Sequence, residues 1–185
     1  MRYETKEKIY ILIIVLLIAV CGQFFYSFRY LPAAERQIKV YYNQDHELNK
    51  EVINTIRDAD KFVYFAIYTF TRADIKDALL AAKYRGLNVI GLTDKEQYKN
   101  LESQQKIIDE LKKADIPIYT QDHSSIMHLK VLVTDKAYLS GSYNWTASGT
   151  NLNDEVLEVG HDENLRLNFQ NILEEMFAKY NQVKL

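Results

Sequence analysis

The sequence predicts an α/β sandwich, a mixed β-sheet flanked by helices, preceded by one N-terminal transmembrane helix. Three observations carry this. β-prone apolar runs alternate with stretches of helical period along residues 38–180, the pattern of strands and helices in layers. Two of those runs, 62–67 and 87–92, are apolar almost throughout, as strands buried on both faces are. Residues 9–28 form twenty positions without a charge. As a helix they reach ~30 Å, the thickness of a bilayer's hydrocarbon core.

Taken in order, residues 1–30 read as a membrane anchor or signal-like segment. Tyr10, Tyr26 and Tyr30 stand where interfacial aromatics belong, and Arg2, Lys6 and Lys8 favour an N-terminus left in the cytoplasm. A cleaved signal needs small residues before the cut, and Ala19-Val20-Cys21 is a poor version of that. The retained anchor is the preferred reading: a single-pass protein with its domain outside a bacterial cytoplasm, on the periplasmic or extracellular side. Residues 31–37, with Pro32, form a linker, and 38–185 a folded domain.

Within the domain, Ile38 to Tyr42 is a short strand. From Asn49, the apolar positions Val52, Ile53 and Ile56 mark a helix ending near Asp60. Phe62 to Ile67 is a buried strand. Ala73 to Tyr84 is a second helix, with Ile75, Leu79, Leu80 and Ala82 inward and Gly86 as its stop. Leu87 to Leu92 is the next strand, and Lys95 to Leu101 reads as a polar, mobile stretch. Ile107, Ile108 and Leu111 mark a third helix, and Ile116 to Tyr119 a short strand. A hairpin over 126–144 turns at Asp135-Lys136. A loop over 146–153, a strand from Glu155 to Val159 and a helix from Glu163 to about Tyr180 complete the chain.

Bulk numbers set bounds. The single cysteine, Cys21, excludes an internal disulfide framework and a cysteine-rich zinc site. Residues after 30 carry 19 basic and 23 acidic side chains, so a broad electrostatic grip on duplex DNA is not expected. No zinc spacing, Gly-rich phosphate loop or paired-carboxylate motif is present, and Asp94, Glu96 and Asp109 read as solvated charges.

The hairpin holds the chemistry. His128 and Lys130 are two apart and leave one face of an extended strand; Ser142 and Asn144 share a face by the same period. An imidazole, an ammonium, a hydroxyl and a carboxamide then converge, a set suited to a phosphodiester. A lone His-x-Lys favours an ordinary hairpin with incidental polar residues. The company of Asp135, Gly141, Ser142, Asn144 and Glu155 favours a site.

His-x-Lys, four residues, Asp, then Gly-Ser-x-Asn resembles the HKD signature of the phospholipase D superfamily. The single residue between Ser142 and Asn144, and Glu155 thirteen residues after Ser142, resemble its small single-motif bacterial endonuclease branch. The likeness extends through Tyr64–Phe70 and Asp94–Gln97. Five residues separate Asp135 from Gly141 where the family usually has six, which predicts a turn one residue tighter.

This resemblance implies that His128 attacks phosphorus to form a phosphohistidine, with no metal or cofactor, while Glu155 fixes its tautomer. It also implies that Lys130, Asn144 and Ser142 hold the phosphate oxygens. Asp135 is expected to support local structure, and Gly141 to allow close approach of backbone and phosphate. The family uses two such motifs per active site and this chain has one, so a homodimer is implied. His46, His123 and His161 are expected to be surface residues. Nucleic acid is the preferred substrate class. Membrane phospholipid is the first alternative, and a non-catalytic phosphate-binding module the second.

Overall fold

The computed structural model describes residues 2–30 and 38–181, and within the first helix the side chains of Lys6, Lys8 and 10–25. The chain divides into two compact units, 1–36 and 37–185. The first unit is the helix α1 (Arg2–Tyr30), whose described side chains are all exposed. Among the described residues no helix is long and apolar enough to cross a membrane. The predicted linker over 31–37 lies outside the described residues.

The second unit is built on one seven-stranded sheet. Its strands are β1 (Ile38–Tyr42), β2 (Phe62–Ile67), β3 (Asn88–Thr93), β4 (Ile118–Thr120), β5 (Lys130–Thr134), β6 (Tyr138–Gly141) and β7 (Val156–Gly160). They lie in the order β1-β7-β6-β5-β2-β3-β4. The β2, β3 and β4 pairings are parallel and every other is antiparallel, so the mixed sheet is as predicted. Parallel neighbours need crossover helices. These are α3 (Ala73–Tyr84) after β2, and α4 (Lys95–Asn100) with α5 (Glu102–Lys113) after β3.

One face of the sheet is covered by α2 (Leu48–Asp58), α3 and α5. Leu48, Val52, Ile56, Ile75, Leu79, Ile108 and Leu111 are all fully buried there, against Val63, Phe65, Ile67 and Leu132 from the strands. The other face is crossed by α7 (Glu163–Tyr180), whose Leu173, Phe177 and Tyr180 pack on Ala66, Leu92, Val131 and Val133. The period-two alternation of β2 and β5 explains the division: successive side chains feed opposite layers. The helix after β2 ends where Gly86 takes a left-handed φ of 88°, as its place in the sequence predicts.

Two segments differ from expectation. The stretch after β3 is the capped helix α4 and not a mobile connection, because Asp94 accepts from the backbone of Glu96 and Gln97. The loop over 146–153 contains a turn of helix, α6 (Ala147–Asn151), capped by Thr146 on the Gly149 amide. The hairpin turn is tight as predicted: Val133 faces Tyr138, and the Thr134 hydroxyl accepts from the amides of Lys136 and Ala137.

Gly141 ends β6 against β7. A Cβ there would lie 2.2 Å from the Val156 carbonyl oxygen, so the glycine permits a close approach of backbone to backbone, not the predicted approach to phosphate. Gly141→Ala is expected to destabilise the domain by about 1–3 kcal/mol, at about 2–4 °C of melting temperature per kcal/mol. An unchanged thermal melt would show that β6 and β7 are not held this tightly.

Candidate active site

Strand direction decides which residues meet. With β2, β3, β4 and β6 running one way and β5 and β7 the other, one end of the sheet gathers a particular set of positions. They are the residues just after β2, β3, β4 and β6 and those just before β5 and β7. That end therefore holds Tyr68 and Thr69, Asp94, Gln121, Ser142 and Asn144, His128 and Glu155. Ligands of open α/β sheets bind at such an end, outside the carboxyl ends of parallel strands.

Lys130 is the first residue of β5, in register with Ile67, and is only 8% exposed. Its ammonium donates to the His128 carbonyl at 2.9 Å and stands 5.0 Å from the centre of the Tyr68 ring. Burial pushes its pKa below the usual lysine value, while the charge of Glu155 works the other way. His128 lies just outside β5 and is exposed, a loop residue rather than the strand residue predicted. The His128 ring is 4.7 Å from that of Tyr68, tilted by 59°.

Glu155 is 7% exposed. Its carboxylate accepts from the Ser142 hydroxyl and, at 3.1 Å, from the Asn153 amide. Its backbone is pinned by Asn43, whose side chain accepts from the Glu155 amide at 3.0 Å. Within the protomer, among the described residues, these partners hold Glu155 and His128 is not one of them. The Ser142 hydroxyl also accepts from the Val156 amide at 3.1 Å. A hydroxyl has one proton, and here it goes to Glu155. Ser142 thus fixes the carboxylate.

Asn144 is the opposite case. Its Oδ1 accepts from the Thr69 amide at 3.1 Å, which turns the two N–H donors of Nδ2 toward other partners. β6 stops at Gly141, so the period of two that predicted a shared face for Ser142 and Asn144 does not extend to them. Between them Tyr143 is fully buried, its hydroxyl 2.6 Å from that of Thr150, and burial pushes its pKa up to about 12.

Asp135 is at the far end of β5, ~17 Å from the site by strand rise. It accepts from the amides of Asp60 and Lys61, both at 3.1 Å. Burial tends to raise its pKa, but these backbone donors outweigh it and hold the carboxyl below the ordinary aspartate value. Asp135 joins the start of β2 to the hairpin and is structural. His46, His123 and His161 are exposed and lie apart from this cluster, as expected: His46 pairs with Glu51 and His161 meets the Lys136 carbonyl.

The sequence missed a supporting tier. Asp94, read as solvated, is 1% exposed and accepts from four donors: the amides of Glu96 and Gln97, the Gln121 side chain at 2.7 Å and the Met127 amide at 2.9 Å. The last bond anchors the loop that delivers His128. Gln104 of α5 is fully buried, accepts from the Phe70 amide at 2.8 Å, and donates to the Tyr68 carbonyl and the Thr93 hydroxyl. The available signal was an aspartate directly before a helix start, the mark of an N-cap.

The depressed Lys130 has a measurable consequence. Its charged form is present below the shifted pKa and lost as pH rises through it. Binding of inorganic phosphate to the full chain is therefore expected to weaken on an alkaline limb that starts below pH ~10.4, the ordinary lysine value. Lys130→Met should bind weakly at every pH and lack the limb. Equal titration of phosphate binding in both proteins would remove Lys130 from the site.

Comparison with known proteins agrees with this architecture. The model of the family described as "Cardiolipin synthase, PLD-like domain" matches residues 52–177. A curated phospholipase D of Rickettsia conorii is 32% identical over 117 residues, which are 63% of this chain and 57% of that protein. The chain thus spans little more than half the length of that relative. NucT from Helicobacter pylori superposes with a TM-score of 0.70 at 26% identity, covering 80% of this chain and 100% of that one. Nuc from Salmonella typhimurium, a phospholipase D family member, has the same fold, with a TM-score of 0.72 at 24% identity, covering 78% of this chain and 95% of that one. The matched family model covers well over half of the chain, and the protein belongs to the PLD-like domain family.

Proposed function

We propose that the protein is a membrane-tethered phosphodiester hydrolase acting on nucleic acid through a phosphohistidine at His128. The observation that carries this reading is one exposed imidazole over a buried ammonium at the open end of the sheet. In the first step a ring nitrogen of His128 bonds to phosphorus while the bond to the leaving oxygen breaks. Lys130 and the free Nδ2 donors of Asn144 hold the nonbridging oxygens, where transition-state charge spreads. In the second step water attacks phosphorus, passing its proton to the imidazole that protonated the leaving oxygen, as the N–P bond breaks and the His128 nucleophile is regenerated. No step requires a metal or cofactor.

The leaving oxygen must take a proton, and an imidazole acting as nucleophile cannot also supply it. His128 of a second copy supplies it in a two-fold homodimer. The sheet face that α7 leaves open supports this pairing. Val40, Tyr42 and Val156 are exposed there, beside Ser142 and Glu155. Val40→Glu is expected to shift the protein toward monomers in sedimentation and to lower turnover in parallel; an active monomer would defeat the pairing.

Nucleic acid is preferred over lipid on two supports. The resemblance is to the single-motif endonuclease branch, and NucT is matched over its whole length. A lipid substrate is the second reading, favoured by the Rickettsia relative's name and the family model's description. The domain is proposed to lie outside a bacterial cytoplasm, a reading supported by Arg2, Lys6 and Lys8 ahead of the apolar run.

Full-length protein in detergent, incubated with single-stranded DNA, RNA or phosphatidylcholine in EDTA, separates these readings. Nucleic-acid cleavage is expected, reduced in His128→Ala by a factor on the order of 10³ or more. Lipid turnover without nucleic-acid cleavage would replace the first reading with the second. Phosphate binding without turnover of any substrate would make the domain a binding module.

A further inference from the structure

We infer that Tyr68 is a positioning residue, an aromatic wedge that sets both the His128 imidazole and the Lys130 ammonium; the inference rests on the reading of that site as a phosphodiesterase centre. The tyrosine follows directly on β2, and its backbone is fixed on both sides. Its amide donates to the Leu129 carbonyl at 3.0 Å, and its carbonyl accepts from Gln104 at 3.2 Å. Gln104 of α5 and Leu129, just before β5, both hold its main chain.

From that fixed point the ring makes two contacts at once. The His128 ring lies 4.7 Å away, tilted by 59°. The Lys130 ammonium lies 5.0 Å from its centre. An aromatic face carries partial negative charge and attracts a cation, the more so when the cation is kept from water. Lys130 is such a cation. Its other compensations are one carbonyl and the charge of Glu155. Tyr68 thus favours the ammonium form that phosphate needs, and limits the angles open to an exposed imidazole that lies outside any strand.

The hydroxyl has a separate part. It accepts from the Gln97 side chain at 3.1 Å, and Gln97 in turn accepts from the Thr69 hydroxyl at 3.2 Å. The Thr69 amide is the group that holds Asn144. The ring serves the imidazole and ammonium, while the hydroxyl only links α4 to the same wall. These roles can be separated by substitution. Tyr68→Phe keeps the face and drops the hydroxyl. Tyr68→Leu keeps an apolar side chain of similar reach and drops the face.

The test uses the full chain in detergent with bis(4-nitrophenyl) phosphate as the phosphodiester probe. Tyr68→Leu is expected to lose tenfold or more in kcat/KM, with the alkaline limb of its pH profile moved to lower pH. Tyr68→Phe should stay within threefold of wild type with the limb unmoved. Proton NMR of the His128 ring and titration of the Lys130 ε-methylene give a readout independent of turnover. The aromatic-induced shift of His128 should vanish in Tyr68→Leu and persist in Tyr68→Phe, and the Lys130 midpoint should fall only in Tyr68→Leu. Wild-type behaviour of Tyr68→Leu, or equal losses in both variants, would overturn the inference. If NMR shows these shifts but the wild type turns over no phosphodiester, the positioning contact stands and the reading of function fails.

Discussion

A lysine ammonium held out of water at the mouth of β5 is the constraint on which the site depends. Moving a charge from water into a protein is costly unless neighbours replace its hydration. Around Lys130 the replacements are the His128 carbonyl, the face of Tyr68 and the charge of Glu155. Each comes from a different element, so the ammonium can be accommodated only when the ends of β2, β5 and β7 have come together. The same requirement brings Glu155 out of solvent, and it is held in turn by Ser142 and Asn153.

The scaffold meets this requirement through strand direction. Placing β5 antiparallel between β2 and β6 sends the start of one strand to the finish of its neighbours. Buried polar side chains then tie those ends to the helices. Asp94 binds the start of α4 and the loop before His128, and Gln104 binds the segment after β2 to α5. Buried groups with every partner in place rigidify a site, which catalysis by positioning requires. Asp135, at the opposite end, closes the hairpin onto the start of β2 and keeps β5 in register.

Much of this was legible in the sequence where periodicity governs. The helices at Ala73–Tyr84 and Glu163–Tyr180 and the strand Phe62–Ile67 have the predicted bounds, because their apolar spacing matches the layers they join. The polar cluster was legible as a set of residue types, and the tight turn at Asp135-Lys136 from its length. What periodicity does not govern was not legible. Ser142 and Asn144 lie beyond the end of β6, where strand alternation no longer sets their directions. The donors that meet Asp94 and Gln104 come from segments remote in sequence, and nothing in the residue types assigns those partners. Tyr68 lies in the stretch Tyr64–Phe70 without a mark of its own; only the fold brings its ring against both motif residues.

The event proposed for this site is transfer of phosphorus to a single imidazole. The direct measurement is rapid acid-free quenching of full-length protein during turnover of a phosphorus-labelled phosphodiester, followed by peptide mapping. The account predicts acid-labile, alkali-stable phosphate on the peptide containing His128, at up to one equivalent per active site. Turnover with no label on that histidine at any quench time would contradict it.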